Sequence, residues 1–191
     1  MSPEIVRRLQ RLMRRGVQAS HQPTAAALAT SDARGHASVR MVLVKGIDAR
    51  GAVWYTNTTS RKAAQLAMNP RAALCLYWPA AGKQAILEGA VAPVSEAEAD
   101  AYWRTRDRRS QLGAWASLQS HRLPSRGMLL ARVASSAVKF SGQPVPRPPH
   151  WSGYRLAPAR IELWTAKPFR LNERVLYHRR NHRWTKTLLY P

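Results

Sequence analysis

Acidic residues are what this 191-residue chain has least of among its charges: 10 Asp and Glu stand against 31 Lys and Arg, a formal charge of +21 at pH 7. Such an excess points towards polyanionic partners, nucleic acid or a membrane surface among them. The basic residues are dispersed rather than clustered, and arginine far outnumbers lysine in an Ala/Arg/Pro-rich composition. Compositional bias together with phosphate-bearing ligands is therefore the expected cause, and nucleic acid is not the expected partner. Cysteine is nearly absent, and the single Cys75 excludes an internal disulfide. Its place within Ala72-Ala73-Leu74-Cys75-Leu76-Tyr77 suits a small packed hydrophobe. No apolar run approaches the length of a membrane span. The first residues, with Arg7, Arg8, Arg11, Arg14 and Arg15 spread among them, lack the apolar core of a secretion signal. A cytoplasmic protein without a membrane partner is expected. His178 and His182 have i, i+4 spacing but flank Arg179-Arg180-Asn181 with no acid nearby, so no metal is expected.

What is present is enough apolar sequence, 45% of the chain, for one domain spanning residues 1–191. A short N-terminal helix is predicted over 3–17, with Ile5, Leu9, Leu12 and Met13 on one face and arginines opposite. Alternating, β-branched runs predict strands at Ala25–Ser31, Ala37–Lys45 and Ala52–Asn57. Asp32-Ala33-Arg34-Gly35 and Asp48-Ala49-Arg50-Gly51 between them have the Asp-first, Gly-last order of tight turns. A helix over Ala63–Met68 follows, then a hairpin of Ala72–Trp78 and Lys83–Val94. Ser95-Glu96-Ala97-Glu98 has the form of a capping box and predicts a helix from Glu96 to Thr105. A further helix is predicted over Ser125–Lys139, a loop over the four prolines of Gln143–Pro149, and strands at Tyr154–Trp164, Phe169–Arg179 and Trp184–Tyr190. Sequential strands with few helices imply a mainly β, α+β fold: an antiparallel barrel with helices outside it.

Two groups of residues suggest phosphate chemistry. Ser60 precedes the Ala63 helix and can cap it, which puts Arg61 and Lys62 in the first turn. Basic side chains there oppose the helix dipole unless an anion sits beside them. Tyr102, Arg106 and Ser110 are spaced by four, so on one continuing helix they share a face and converge on an oxyanion. Arg40 and Lys45, five apart, fall on opposite faces of their strand. Arg170, Asn172 and Arg174 alternate along the predicted Phe169 strand and so share a face, with Leu171 and Val175 directed inward.

The run Arg40-Met41-Val42-Leu43-Val44-Lys45, then Tyr55-Thr56-Asn57, then Ser60-Arg61-Lys62, resembles the flavin-binding half of the pyridoxine/pyridoxamine 5'-phosphate oxidase family. Lys83-Gln84, Arg108 to Ser117, Gln119-Ser120, Ile161-Glu162-Leu163-Trp164 and Arg170-Leu171-Asn172-Glu173-Arg174 continue the likeness in the family's order. The resemblance implies a homodimeric, six-stranded split barrel that binds FMN and oxidises pyridoxamine or pyridoxine 5'-phosphate to pyridoxal 5'-phosphate with O2, releasing H2O2. It assigns Arg40, Ser60, Arg61, Lys62 and Ser120 to the FMN phosphate region. The rest of the flavin goes to Tyr55, Thr56, Gln84, Gln119, Trp164 and Arg174, and Met41, Val42, Leu43, Val44 and Lys45 are implied to bind the cofactor as well. Lys45, Tyr102, Arg106 and Ser110 are implied to hold the substrate's phosphate, with Arg170 and Asn172 at the reacting part of the substrate.

Two departures stand against the pattern. The usual motif is R-L-H-[DE]-R, and Asn172 replaces its histidine, which removes a group that titrates near neutrality. The family also has a longer N-terminal arm over the substrate, whereas here the first helix begins almost at once, so Arg7 and its neighbours substitute for that lid or it is missing. The competing readings are a sister oxidase acting on phenazine precursors, an FMN- or pyridoxal-phosphate-binding protein with little turnover, and a basic nucleic-acid-binding barrel.

Overall fold

The computed structural model describes residues 1–17, 22–181 and 183–191. In chain order the elements are α1 (Pro3–Val17), β1 (Ala25–Ser31), β2 (Ala37–Asp48), β3 (Gly51–Asn57), α2 (Arg61–Met68), β4 (Arg71–Trp78), β5 (Lys83–Pro93), α3 (Glu96–Arg104), α4 (Arg108–Ala116), α5 (Arg126–Lys139), β6 (Trp151–Thr165), β7 (Glu173–Arg180) and β8 (Arg183–Leu189). They fall into two compact units. The first holds Met1–Trp54, Gln65–Ala92 and Tyr154–Pro191, and the second holds Tyr55–Ala64 and Pro93–Gly153.

The first unit is the expected barrel. Its sheet runs β3-β2-β1-β4-β5-β6-β7-β8, and β3 pairs again with β6, which closes six strands and leaves β7 and β8 as an extension. Alternation explains which side of each strand is inside: in β1 Ala26, Leu28 and Thr30 are buried while their neighbours are half-exposed. Trp54, Leu74, Leu76, Leu87, Leu156 and Ile161 meet in the core, and Ile5 and Leu9 of α1 join the same cluster. Arg7, Arg11 and Arg14 lie on the exposed face of α1, as the periodicity predicts.

Both Asp-first turns form. Asp32 Oδ1 accepts from the backbone N–H groups of Arg34 and His36, and Asp48 Oδ1 accepts from those of Arg50 and Gly51. Gly51 sits at φ +144°, and a Cβ there would lie 1.9 Å from the Leu156 carbonyl oxygen. Gly89 on β5 approaches β6 in the same way, 2.1 Å from the Ala157 oxygen. The two strands flanking β6 thus each present a glycine where the barrel is tightest. The register between β2 and β3 shifts at Val44/Gly46, so Lys45 is the extra residue of a bulge.

The second unit is helical. Ser95 caps α3 by accepting from Glu98 N, and Ser125 caps α5 by accepting from Met128 N. The helix predicted over Glu96–Thr105 forms with nearly that end, so Tyr102, Arg106 and Ser110 do not share the face of one continuing helix. α3 ends at Arg104, and Asp107 starts a separate helix, α4, by accepting from Ser110 N at 2.9 Å. An Asp that caps a new helix outcompetes continuation of the old one. The proline loop is held by its carbonyls: Trp103 Nε1 donates to Val145 O and Trp115 Nε1 to Pro146 O.

The strand predicted from Phe169 is also corrected. Residues Pro168–Arg170 form a 3₁₀ turn with Phe169 and Arg170 at positive φ, and β7 begins only at Glu173. Arg170, Asn172 and Arg174 therefore do not alternate along one strand. Val175 is buried as expected, but Leu171 is 68% exposed rather than inward. His182, half of the dismissed histidine pair, lies outside the described residues.

Candidate functional site

In the second unit the chain leaves β3 through Asn57, which organises the approach to α2. Its Oδ1 accepts from Thr59 N and Thr59 Oγ1, both at 2.7 Å, and its carbonyl accepts from Ser60 Oγ at 2.7 Å. α2 then opens with Arg61 exposed and Lys62 buried, with no acid in its first turn. Lys62 Nζ donates to Gln119 Oε1 at 2.7 Å, to Thr56 Oγ1 at 3.1 Å and to Ser60 Oγ at 3.3 Å. The predicted residues Thr56, Ser60, Lys62 and Gln119 are thus one cluster, although Thr56 and Gln119 are 63 positions apart. These three oxygens are neutral. An anion at the head of α2 would meet the helix N-terminus, Arg61 and Lys62 together. Ser120 is exposed next to Gln119, at φ +73°.

The second cluster of that unit is aromatic and cationic. Tyr55 stacks on Tyr102 with ring centroids 3.9 Å apart, and Trp151 lies nearly parallel to both, 5.4 Å from Tyr55 and 6.2 Å from Tyr102. The Arg106 guanidinium sits 4.9 Å over the Trp151 ring and 5.6 Å over Trp103. One Arg106 nitrogen donates to Ser110 O at 3.0 Å, while its Nε is buried with no hydrogen-bond partner. Burial lowers the Arg106 pKa, against the opposing pull of Tyr102 and Asp107. The helix break leaves the Arg106 guanidinium bonded to the Ser110 backbone carbonyl and close enough to Tyr102 to feel its charge.

In the first unit Arg40 points to the inner side of β2. Its guanidinium donates to Thr30 Oγ1 at 2.5 Å and to Gln65 Oε1 at 3.1 Å, and Gln65 Nε2 in turn donates to Ser38 Oγ. Met41, Leu43 and Lys45 are exposed on the other side. Val42 is half-buried and Val44 fully buried, so Val44 can offer only its backbone to a ligand. Gln84 is half-buried on β5 opposite Tyr77. Trp164 and Arg174 face each other across β6 and β7. Arg174 grips Glu162 at 2.7 and 3.1 Å and donates to Tyr190 O. The Arg174 hydrogen bond holds the Glu162 carboxyl below the usual carboxylate range. Arg170 lies in the positive-φ turn, and Asn172 Oδ1 accepts from Lys167 N at 3.2 Å.

Sequence reasoning missed Gln65 and Thr30, which fix Arg40, Glu162, which fixes Arg174, and Trp151, on which the aromatic stack rests. Only Glu162 had a signal, since it lies two residues before Trp164 on a strand whose alternation gives both the same face.

A family model described as pyridoxamine 5'-phosphate oxidase matches residues 13–140, and one described as the pyridoxine 5'-phosphate oxidase C-terminal dimerisation region matches residues 151–191. A protein of Anaeromyxobacter dehalogenans named pyridoxine/pyridoxamine 5'-phosphate oxidase is 52% identical over 191 residues, covering all of this chain and 96% of its own. A protein of the same name from Alkalilimnicola ehrlichii is 56% identical over 169 residues, 88% of this chain and 86% of its own. Among solved structures, PhzG from Burkholderia lata 383 in complex with tetrahydrophenazine-1-carboxylic acid superposes with a TM-score of 0.92 at 34% identity, covering 100% of this chain and 98% of that one. A pyridoxamine 5'-phosphate oxidase-related, FMN-binding protein of Nostoc punctiforme shares the fold, with a TM-score of 0.80 at 20% identity over 100% of this chain and 99% of its own.

Proposed function

The chain belongs to the pyridoxamine 5'-phosphate oxidase family, and from that premise we propose that it binds FMN and oxidises pyridoxamine or pyridoxine 5'-phosphate to pyridoxal 5'-phosphate. The observation that carries the proposal is the donor set at the head of α2: buried Lys62 between the oxygens of Thr56, Ser60 and Gln119, with Arg61 exposed beside it. That set fits a dianionic phosphate. Arg61, Lys62 and Ser120 would hold the FMN phosphate together with Arg40, while Tyr55, Gln84, Gln119, Trp164 and Arg174 would serve the rest of the flavin. Bound FMN would supply the redox chemistry: a hydride leaves the substrate's C4' carbon and a proton its hydroxyl or amine, O2 takes up both electrons and two protons to end as H2O2, and water releases ammonia from the imine that the amine substrate gives.

The chain's own residues place and charge the substrate, and no protein nucleophile is required. Arg106, Tyr102 and Ser110 would take its phosphate, with Lys45. The unpartnered Nε of Arg106 is a buried donor that a phosphate oxygen would satisfy. The likeness to the Burkholderia protein favours one other reading, oxidation of a reduced phenazine carboxylate. The Tyr102, Arg106 and Ser110 group speaks for a phosphate ester instead. An absorption spectrum of the purified protein tests the cofactor, and anaerobic bleaching of its flavin bands by pyridoxine 5'-phosphate tests the substrate. A colourless protein that takes up no added FMN would overturn the reading.

A homodimer is part of the proposal. The match to a dimerisation region supports it, and so does the exposed apolar row on β2, where Val39 is 69% and Met41 64% exposed. Sedimentation of the flavin-loaded protein is expected to give a dimer at micromolar concentration. A monomer with full flavin content would remove both the interface and the shared-site assignments.

Asn172 tests the departure from the family motif. Histidine there could still accept from Lys167 N through an unprotonated ring nitrogen, and when protonated it would add charge beside the substrate. Asn172→His is expected to raise kcat/KM for pyridoxine 5'-phosphate about tenfold, roughly 1.4 kcal/mol. The gain should be larger at mildly acidic pH, where imidazole is charged, and FMN affinity should hardly change. Unaltered activity across that pH range would place residue 172 away from the substrate.

A further inference from the structure

We infer that Trp151 is a positioning residue that sets the substrate-phosphate group by acting through Arg106, in an aromatic stack it shares with Tyr102 and Tyr55. Trp151 is buried, and its ring meets four side chains. The Arg106 guanidinium lies over it at 4.9 Å, Tyr55 and Tyr102 lie parallel to it within 8° and 5°, and Trp103 meets it edge-on at 4.9 Å. Its backbone is fixed as well. Trp151 N donates to Pro148 O at 3.1 Å, and its carbonyl accepts from Arg147 at 2.8 Å.

The consequence for Arg106 is orientation. With its guanidinium carbon 4.9 Å from the Trp151 ring centroid, Arg106 is held against the indole by a cation–π contact, which limits where its N–H groups can go. One of those groups goes to Ser110 O, and Nε stays buried without a partner, so the donor is arranged before any acceptor arrives. Tyr102 is constrained by the same platform, since it is sandwiched in a stack with Tyr55. Gly153, two residues on, completes the device: a Cβ there would stand 2.7 Å from the Tyr55 ring, so only glycine lets that ring lie where it does. Preorganising donors in this way raises affinity without adding a contact to the ligand.

The inference rests on the oxidase reading, and the experiment separates the two. Steady-state kinetics with pyridoxine 5'-phosphate and FMN titrations are run on the wild type, Trp151→Leu, Trp151→Phe, Arg106→Ala and the Trp151→Leu/Arg106→Ala double variant. Trp151→Leu, which keeps apolar bulk but loses the ring face, is expected to raise KM about tenfold with kcat changed less than twofold and FMN affinity retained. Trp151→Phe should raise KM two- to threefold. In the Arg106→Ala background the Leu substitution should have almost no further effect on KM, because its route to the phosphate is gone. A merely structural tryptophan would instead give additive losses and a fall in kcat and FMN affinity together, which would overturn the inference. Should Trp151→Leu not fold, the Phe variant decides, by the same test of whether its effect vanishes without Arg106. A wild type that does not turn over pyridoxine 5'-phosphate overturns the oxidase reading and this inference with it, whereas an active wild type with an unchanged KM in both Trp151 variants overturns the inference alone.

Discussion

A variant carrying Arg61→Ala and Lys62→Ala together is expected to purify without flavin while remaining folded. Each residue offers one charge-assisted contact to a phosphate, worth roughly 1.5–3 kcal/mol. Losing both should weaken FMN binding by about 3–6 kcal/mol, or on the order of 10²- to 10⁴-fold in Kd. The fold should survive for separate reasons at the two positions. Arg61 is exposed, so its removal uncovers nothing. Lys62 is buried, but the oxygens it leaves have other partners: Thr56 Oγ1 already reaches Gln119 Oε1, and Ser60 Oγ already donates to Asn57 O. Two basic groups also leave the first turn of α2, where they oppose the helix dipole by roughly 0.3–1 kcal/mol each. Quenching of FMN fluorescence measures the affinity, and a circular-dichroism melt measures the fold. Flavin binding with wild-type affinity would put the phosphate elsewhere.

What the sequence made legible follows from how local each determinant is. The barrel's hairpins were readable because Asp32 and Asp48 each organise a turn within a few residues, and because alternation in β1 and β2 is a property of consecutive positions. The start of α3 was readable for the same reason, from Ser95 and Glu98. The end of α3 is legible to within a residue, at Thr105 predicted against Arg104 observed, but the separate helix α4 is not, and the four-residue spacing of Tyr102, Arg106 and Ser110 suggests a continuing helix in its place. Asp107 carried the signal, an N-cap residue three before Ser110. Nothing local announces that Phe169 and Arg170 take positive φ, since neither is a glycine or asparagine. The supports of the site were the least visible. Gln65 and Thr30 reach Arg40 from α2 and β1, and Trp151 reaches Arg106 and Tyr55 from positions far along the chain, so only the folded chain brings them together. Family resemblance named the residues that would touch ligands, and the structure adds the ones that hold those residues still.

Arg106→Ala should give the largest change in catalysis at the substrate side. In the proposed complex the guanidinium would face a phosphate through up to two donors, and its partial burial means that the interaction would be weakly screened by salt. Its loss is expected to lower kcat/KM for pyridoxine 5'-phosphate by about 3 kcal/mol, roughly 150-fold, almost wholly through KM. Stability should fall much less. The variant forfeits the contact with the Trp151 face, about 1–2 kcal/mol, but it also removes a buried Nε donor that has no partner in the free protein, and the two effects oppose each other. Arg106→Lys should recover only part of the loss, because an ammonium keeps the charge but lacks the planar fork that can stack on an indole and reach two oxygens at once. The decisive comparison is with pyridoxamine lacking its phosphate. That substrate gains nothing from Arg106, so its kcat/KM, low in the wild type, should be nearly the same in Arg106→Ala. An equal loss for both substrates would mean that Arg106 supports the flavin or the fold, and the phosphate would then have to be sought at Lys45.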